Sequence, residues 1–392
     1  MELNTKLSDR VNAIALSKSM SSNEEVVKLI KQGVDVINLT IGEPDFPSPL
    51  SIKKAGIDAI KNNYTHYTNS KGIHELLVTI GNVMRKKYST VIDPDKNIII
   101  TPGTKQAVYY LNCVLINPGD EGIIFEPNWL TYWDSLKLCG GIPVNVIGKE
   151  SDGFKPKIRD INNSITKKTK YILFSNPCNP TGAVWNREEL RELLKIAITN
   201  NILIIADEIY GRIIFDKRKF VSIGSLENVE NNVIILNGFS KEQAMTGWRI
   251  GYMIGPAVII DAVNKMQQQI ATRVSSISQH AALKGFSVER SIDNMVRTFE
   301  KRRNILIRGL NKIKGFSCQK PQGTFYAFVN ISGTGMDSEQ IADYLLQKAK
   351  IGVVPGVSYG SNFRHYIRVS FTINEKRIIE ALNRLTELFG KK

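Results

Sequence analysis

The chain has 392 residues, 42% hydrophobic and 23% charged, an ordinary globular composition and more sequence than one compact core takes up, so a large unit with a smaller satellite is expected. Its net charge of +15 comes from basic residues scattered in pairs such as Lys53-Lys54, Lys86-Lys87 and Lys167-Lys168; a solvated lysine-rich surface is expected, with neither nucleic acid nor membrane as partner. Four cysteines, Cys113, Cys139, Cys178 and Cys318, show no CxxC or other ligand spacing, which argues against a metal site or a disulfide framework and predicts reduced thiols. Met1 to Lys6 hold no apolar leader and no apolar run is long enough to cross a bilayer, so a soluble, cytoplasmic protein is expected.

Along the chain, β-branched runs at 97–101, 122–125, 141–147, 171–175, 202–207, 233–238 and 250–254 predict strands. Helical periodicity at 105–116 and 187–200 predicts helices between them, the second opening on acidic residues and ending at Asn200-Asn201. Such alternation indicates an α/β layer with a mostly parallel central sheet. The stretches before about 47 and after about 300 have another rhythm, with a long basic helix, a turn and strand through Gln322-Gly323-Thr324-Phe325-Tyr326, and a final amphipathic helix. They are expected to form one smaller domain from both chain ends, 1–47 and 300–392, beside a large domain of 48–299.

Ligands gather at the carboxyl ends of strands in sheets of this kind, and the polar residues that stand out fall there. Gly103-Thr104-Lys105-Gln106 follows a strand and opens a helix, so its N–H groups suit a phosphate, although Thr104 as a plain capping hydroxyl would also explain it. In Ser175-Asn176-Pro177-Cys178-Asn179-Pro180-Thr181-Gly182 two prolines stiffen a turn enough to aim an asparagine amide at a ligand. Asp207-Glu208-Ile209-Tyr210 ends an apolar strand; Asp207 is either a cap or ion-pair partner, or the carboxylate that keeps a pyridine nitrogen protonated. Gly238-Phe239-Ser240-Lys241 presents one lysine among small residues, with Arg249 eight positions on as a planar fork for a phosphate. A lysine so placed is suited to Schiff-base chemistry.

With these motifs in this order, the chain resembles the class I/II aminotransferases, fold type I pyridoxal-phosphate enzymes, over nearly its whole length. SNPCNPTG, DEIY, GFSK and TGWRIG carry the resemblance. It implies an α/β fold with a mostly parallel seven-stranded sheet in three α/β/α layers plus a smaller α+β domain. It implies pyridoxal 5'-phosphate as cofactor, with Lys241 as the Schiff-base residue that also moves the proton between the substrate Cα and the cofactor. Asp207 is then the partner of the pyridine nitrogen, and Asn179 and Tyr210 the hydrogen-bond partners of the phenolic oxygen. Arg249, Ser240 and the N–H groups of Thr104 and Lys105, beside Gly103, are the phosphate ligands. Trp129, shortly after Pro127, matches the ring stacked on the cofactor, with a core tryptophan as its other reading. Tyr67, five residues before Gly72, matches a tyrosine that reaches the partner's phosphate across a homodimer interface, with Tyr64 as an alternative. The position three before Lys241, often serine in the family, is Gly238 here, which shifts the expected phosphate grip toward Ser240 and backbone.

For the substrate, the resemblance assigns Arg368 to the α-carboxylate and Gly42 to the loop that closes over it. A carboxylate fixed there leaves the Cα–H bond next to Lys241, so transamination between an L-amino acid and a 2-oxo acid in a ping-pong cycle is expected. Lys105 matches a side-chain-carboxylate contact in a prokaryotic branch of aspartate aminotransferases and points to aspartate and glutamate; a helix-surface lysine is the other reading. Arg273 is a further candidate for a side-chain carboxylate, from the partner subunit. Aromatic or kynurenine aminotransferases, cysteine-conjugate β-lyases and other amino-acid-modifying enzymes share the scaffold, and a non-catalytic regulator is the alternative from another class.

Overall fold

The computed structural model describes residues 8–12, 14, 18–90 and 92–392. The leader reading at Met1 to Lys6 falls outside these residues. The strands, in chain order, are β1 (Ile37–Asn38), β2 (Ile98–Thr101), β3 (Glu121–Glu126), β4 (Ile142–Ile147), β5 (Thr169–Ser175), β6 (Leu203–Asp207), β7 (Val233–Gly238), β8 (Gly251–Ile254), β9 (Tyr326–Asn330), β10 (Ile351–Gly352), β11 (Val354–Pro355) and β12 (Tyr366–Ser370).

The expected seven runs form one sheet in the order β2-β8-β7-β6-β5-β3-β4. Only β8 runs against its neighbours, β2 and β7; the other pairings are parallel. Except at the edge strand β4, whose residues are mostly exposed or half-buried, side chains alternate between two buried faces, which is why these strands read as continuous apolar runs. Ile204 and Ala206 of β6 join one core with the helices Leu50–Lys61, His74–Tyr88, Arg187–Thr199 and Ser276–Leu283. Ile205 joins the opposite core with Thr104–Leu115, Thr131–Leu138 and Ala257–Ile270. Helix, sheet and helix thus make the expected three layers. The helix Arg187–Thr199 starts where its capping box dictates, Asn186 accepting from the Glu189 N–H while Glu189 reaches back to the Asn186 N–H.

A third core lies apart from the sheet. It combines Ile37 and Leu39, the segment from Ile209 to Phe215 after β6, and the last third of the chain. Here β11, β12 and β9 form an antiparallel sheet, and β1 pairs with β10 in parallel, so the two ends of the sequence are stitched together. The helix Glu289–Leu310 belongs to both regions, with Ile292 in a core of the large sheet and Phe299, Leu306 and Leu310 in the third. Its Arg303, fully buried, forms a bidentate pair with Asp216 at 2.9 and 2.8 Å and also donates to the Pro321 carbonyl. Among the described residues, no helix is long and apolar enough to cross a membrane.

Candidate active site

The carboxyl ends of β2, β3, β5, β6 and β7 face the third core across a cleft of about 670 Å³. Gly42, Gly103, Thr104, Lys105, Trp129, Asn179, Asp207, Tyr210, Ser240, Lys241, Arg249 and Arg368 all line it. Residues separated by more than 300 positions are therefore neighbours. Tyr67 and Arg273 are the site candidates left outside: Tyr67 is 80% exposed, with the Arg273 guanidinium 4.4 Å from its ring centroid.

On the sheet side, Asp207 ends β6 and is buried. The Tyr132 hydroxyl donates to its Oδ2 at 2.9 Å and the Ile209 N–H to its Oδ1 at 3.1 Å. Burial still outweighs these bonds and pushes the carboxyl up to about 6. Lys241 follows β7, and its Nζ donates to the Gly42 carbonyl at 2.6 Å. Burial of the amine, opposed by nearby Glu43, brings it down to about 8. A carboxyl raised and an amine lowered in one cleft are marks of a chemical site.

Beside them the helix Thr104–Leu115 begins at Gly103 with no side-chain cap, so Thr104 is not the capping hydroxyl and the first-turn N–H groups face the cleft unscreened. Gly103 has φ +87°, and a Cβ there would come within 3.0 Å of Arg249 Nη2. Arg249 is held over this turn by the carbonyls of Thr246 and Pro102. Ser240 is buried against the same end of the cleft. These groups make an anion cradle. Gly238 has a packing reason: a Cβ there would lie 2.8 Å from the Cα of Gly251 on β8.

On the opposite side Arg368 projects from β12 and is buried. Nη2 donates to the Thr40 carbonyl at 2.7 Å and Nη1 to Asn179 Oδ1 at 3.4 Å, while Nε has no partner. Among the described residues no carboxylate pairs with it. A buried guanidinium with a free N–H is suited to an anion brought from outside. The Tyr326 ring lies 4.2 Å from its guanidinium carbon. Lys105, at the cradle end, sits 5.1 Å from the Trp129 ring centroid and is lowered by burial and by Arg249.

Aminotransferases of class I and II match this chain over residues 34–385. The chain belongs to that family. An aspartate aminotransferase of Thermotoga maritima is 35% identical over 387 residues, covering 98% of this chain and 100% of the relative. Among solved structures, an aspartate aminotransferase of Thermus thermophilus with maleate superposes with a TM-score of 0.94 at 32% identity, covering 98% of this chain and 100% of the other. An aromatic aminotransferase of Pyrococcus horikoshii gives 0.90 at 32% identity, covering 98% of each chain.

This aminotransferase also uses residues that its motifs did not announce. Tyr132, three positions after Trp129, holds Asp207 from the helix Thr131–Leu138. Tyr326 bonds the Tyr210 hydroxyl at 3.2 Å while lying against Arg368. Thr40, whose carbonyl fixes Arg368, is itself held through its hydroxyl by Asn38 at 2.7 Å and Asn23 at 3.0 Å. Spacing from Trp129 was the one signal for Tyr132. Asn176, by contrast, turns away from the cleft and accepts from the Trp185 N–H at 3.0 Å, so of the two asparagines in the turn only Asn179 lines the site.

Proposed function

We propose that this aminotransferase binds pyridoxal 5'-phosphate and moves the amino group of L-aspartate or L-glutamate to a 2-oxo acid in a two-stage, ping-pong cycle. The residues present fit the cofactor. The cradle of Gly103, Thr104, Lys105, Ser240 and Arg249 suits a phosphate dianion, and Asp207, raised by burial and short of a positive partner, suits a protonated ring nitrogen. Asn179 and Tyr210 would bond the phenolic oxygen, and Trp129 would cover the ring. When bound, the cofactor supplies an acceptor for the electron pair left when a bond to the substrate α-carbon breaks.

The chain's own residues supply the rest. Arg368 orients the α-carboxylate through the N–H that has no partner, and the Gly42 loop shields the bound substrate from water. Lys241 Nζ would take the proton from the substrate α-carbon and hold it for delivery to the cofactor carbon on the other side of the intervening nitrogen. Burial lowers the amine to about 8, so the proton-free form that this role requires becomes the major one only above about pH 8. Thr246 ties the Gly42 loop down through Glu43 at 2.5 Å, and Arg302 does so through Asp45 at 2.8 Å.

The observation that carries the reading is the second cationic pole. Lys105 stands in the same cleft as Arg368, so a dicarboxylate can be held at both ends. The aspartate aminotransferases among the relatives support it. The same proposal covers a homodimer: Tyr67 points outward with Tyr64, Ile57, Ile60 and Leu50 exposed nearby, an apolar surface of the kind a second copy covers, and Tyr67 would reach the partner's phosphate. It also covers the division into 48–299 and the two chain ends, with the helix Glu289–Leu310 shared between them.

The test is to add single amino acids to the cofactor-loaded protein without an oxo acid and follow its visible absorbance. Conversion by aspartate and glutamate supports the reading. Conversion by aromatic amino acids alone moves the substrate assignment toward the aromatic relatives, and pyruvate formation without conversion points to β-elimination. The Lys105→Ala enzyme should lose kcat/KM for aspartate by about 10-fold or more, in line with one charge-assisted contact, with little change for alanine or phenylalanine. Equal losses for all substrates would remove the second pole.

A further inference from the structure

Cys113 and Cys139 lie 26 positions apart in sequence, yet their sulfurs are 3.7 Å apart and both residues are half-buried. Cys113 is in the last turn of the helix Thr104–Leu115, whose first turn forms the anion cradle. Cys139 caps the helix Thr131–Leu138, which carries Tyr132 to Asp207. We propose that this pair is a reversible thiol–disulfide site that, when oxidised, ties together the two helices on which the cradle and the Asp207 carboxylate depend.

A disulfide needs the sulfurs at about 2.05 Å, so they must close by about 1.7 Å, within the reach of small side-chain rotations at a helix terminus. The microenvironment assigns the roles. The Cys139 contact and a second bond from the Tyr109 hydroxyl hold the Cys113 thiol below its ordinary range, while the same contact pushes Cys139 up. Arg10, from the short helix Asp9–Asn12, is the charged group that faces the pair from a third element. The other two cysteines, Cys178 and Cys318, are buried and raised by desolvation, which leaves them inert by comparison.

The oxidant required is a hydroperoxide. The Cys113 thiolate attacks the terminal peroxide oxygen; the O–O bond breaks, the alcohol or water leaves after taking up a proton, and Cys113 becomes a sulfenic acid. The Cys139 sulfur then attacks the Cys113 sulfur, the S–S bond forms and the S–O bond breaks, and water leaves with the Cys139 proton. Two thiols supply the two electrons that reduce one peroxide, and a dithiol reductant reverses the change.

The test uses the cofactor-loaded protein and hydrogen peroxide. Free thiols should fall from four to two, with one cross-linked peptide holding Cys113 and Cys139 that dithiothreitol releases. The midpoint of thermal unfolding should rise on oxidation and return on reduction. Cys139→Ser should trap as a dimedone adduct at Cys113, and Cys113→Ser should keep its three thiols. Peptide mapping of the unmodified protein needs no variant to fold. Absence of the cross-link, its replacement by one at Cys178 or Cys318, or an unchanged unfolding midpoint overturns the proposal. Thiol counting is independent of any substrate, so the pair can fail while the aminotransferase reading stands, and the reverse.

Discussion

The two walls of the cleft are built differently. The sheet wall sets Asp207 and Lys241 at the ends of central strands paired on both sides, and the bonds that hold Asp207 come from Tyr132, on a helix packed against the same sheet, and from the N–H of Ile209 two residues on. The facing wall is assembled from the extremes of the chain: Arg368 is fixed by Thr40, and Thr40 by Asn38 and Asn23. A wall set into the seven-stranded sheet is held by long ladders on both sides, whereas the facing wall, held together by its own small sheets and the short β1–β10 ladder, can shift against it as a unit. The difference suits a division of labour in which, on the proposed function, the sheet wall would perform the chemistry and the facing wall would capture and orient the substrate.

The largest break falls on the sheet wall. Lys241→Ala should lower kcat by about 10⁴-fold or more, because both the covalent anchor and the proton carrier go. It should also leave no cofactor attached to the protein after borohydride reduction. A link that survived would move the anchor elsewhere.

Asp207→Asn should cost about 10²- to 10³-fold in kcat, the range for removing one preorganised electrostatic partner. It should have the opposite effect on stability. The folded carboxyl sits at about 6 against an ordinary 3.8, so burial costs nothing below the lower value, and the cost grows as pH rises through that window. At pH 7 and above the shift corresponds to about 3 kcal/mol against the cofactor-free fold. The cofactor-free Asn variant should therefore melt above the parent at pH 7 and show no such advantage at pH 4. A parent whose stability rises as pH climbs toward about 4, with the Asn variant removing that rise, would show that Asp207 is stabilised by its bonds instead.

Those two residues were legible because each sits in a short local motif at a strand end, where sequence neighbours are also neighbours in space. Six of the seven strands were legible for the same reason, burial on both faces leaving an apolar run that needs no knowledge of the partner strand; the edge strand β4 was legible from its β-branched residues alone. The facing wall was harder. Tyr326 was visible only as part of a turn and strand, since its contacts are to Tyr210, 116 positions away, and to Arg368 on another strand. Thr40 acts through its carbonyl, which no side-chain pattern signals. The cysteines read as scattered because their meeting depends on how two helices cross the same sheet face.

On the facing wall, Arg368→Lys keeps the charge but loses the planar fork, and should lower kcat/KM by about 10- to 100-fold, mostly through KM and for every amino acid alike. The uniformity is the informative part. Lys105→Ala should discriminate between substrates while Arg368→Lys should not, and a selective Arg368 variant would mean that the two cationic poles have been assigned to the wrong carboxylates.

The smallest effect is the sharpest, because Tyr326 touches both walls. Its ring lies on Arg368 and its hydroxyl meets that of Tyr210, so the two contacts can be removed separately. Tyr326→Phe keeps the ring and loses the hydrogen bond; kcat should fall about 2- to 10-fold, the worth of one such bond, with KM unchanged. Tyr326→Leu also removes the ring from the guanidinium, and KM should rise by a further few-fold, as a lost cation–π contact of about 1 kcal/mol predicts. If the Phe variant raised KM as much as the Leu variant, the hydroxyl would be positioning Arg368 too, and capture and chemistry would be one coupled unit rather than the work of two walls.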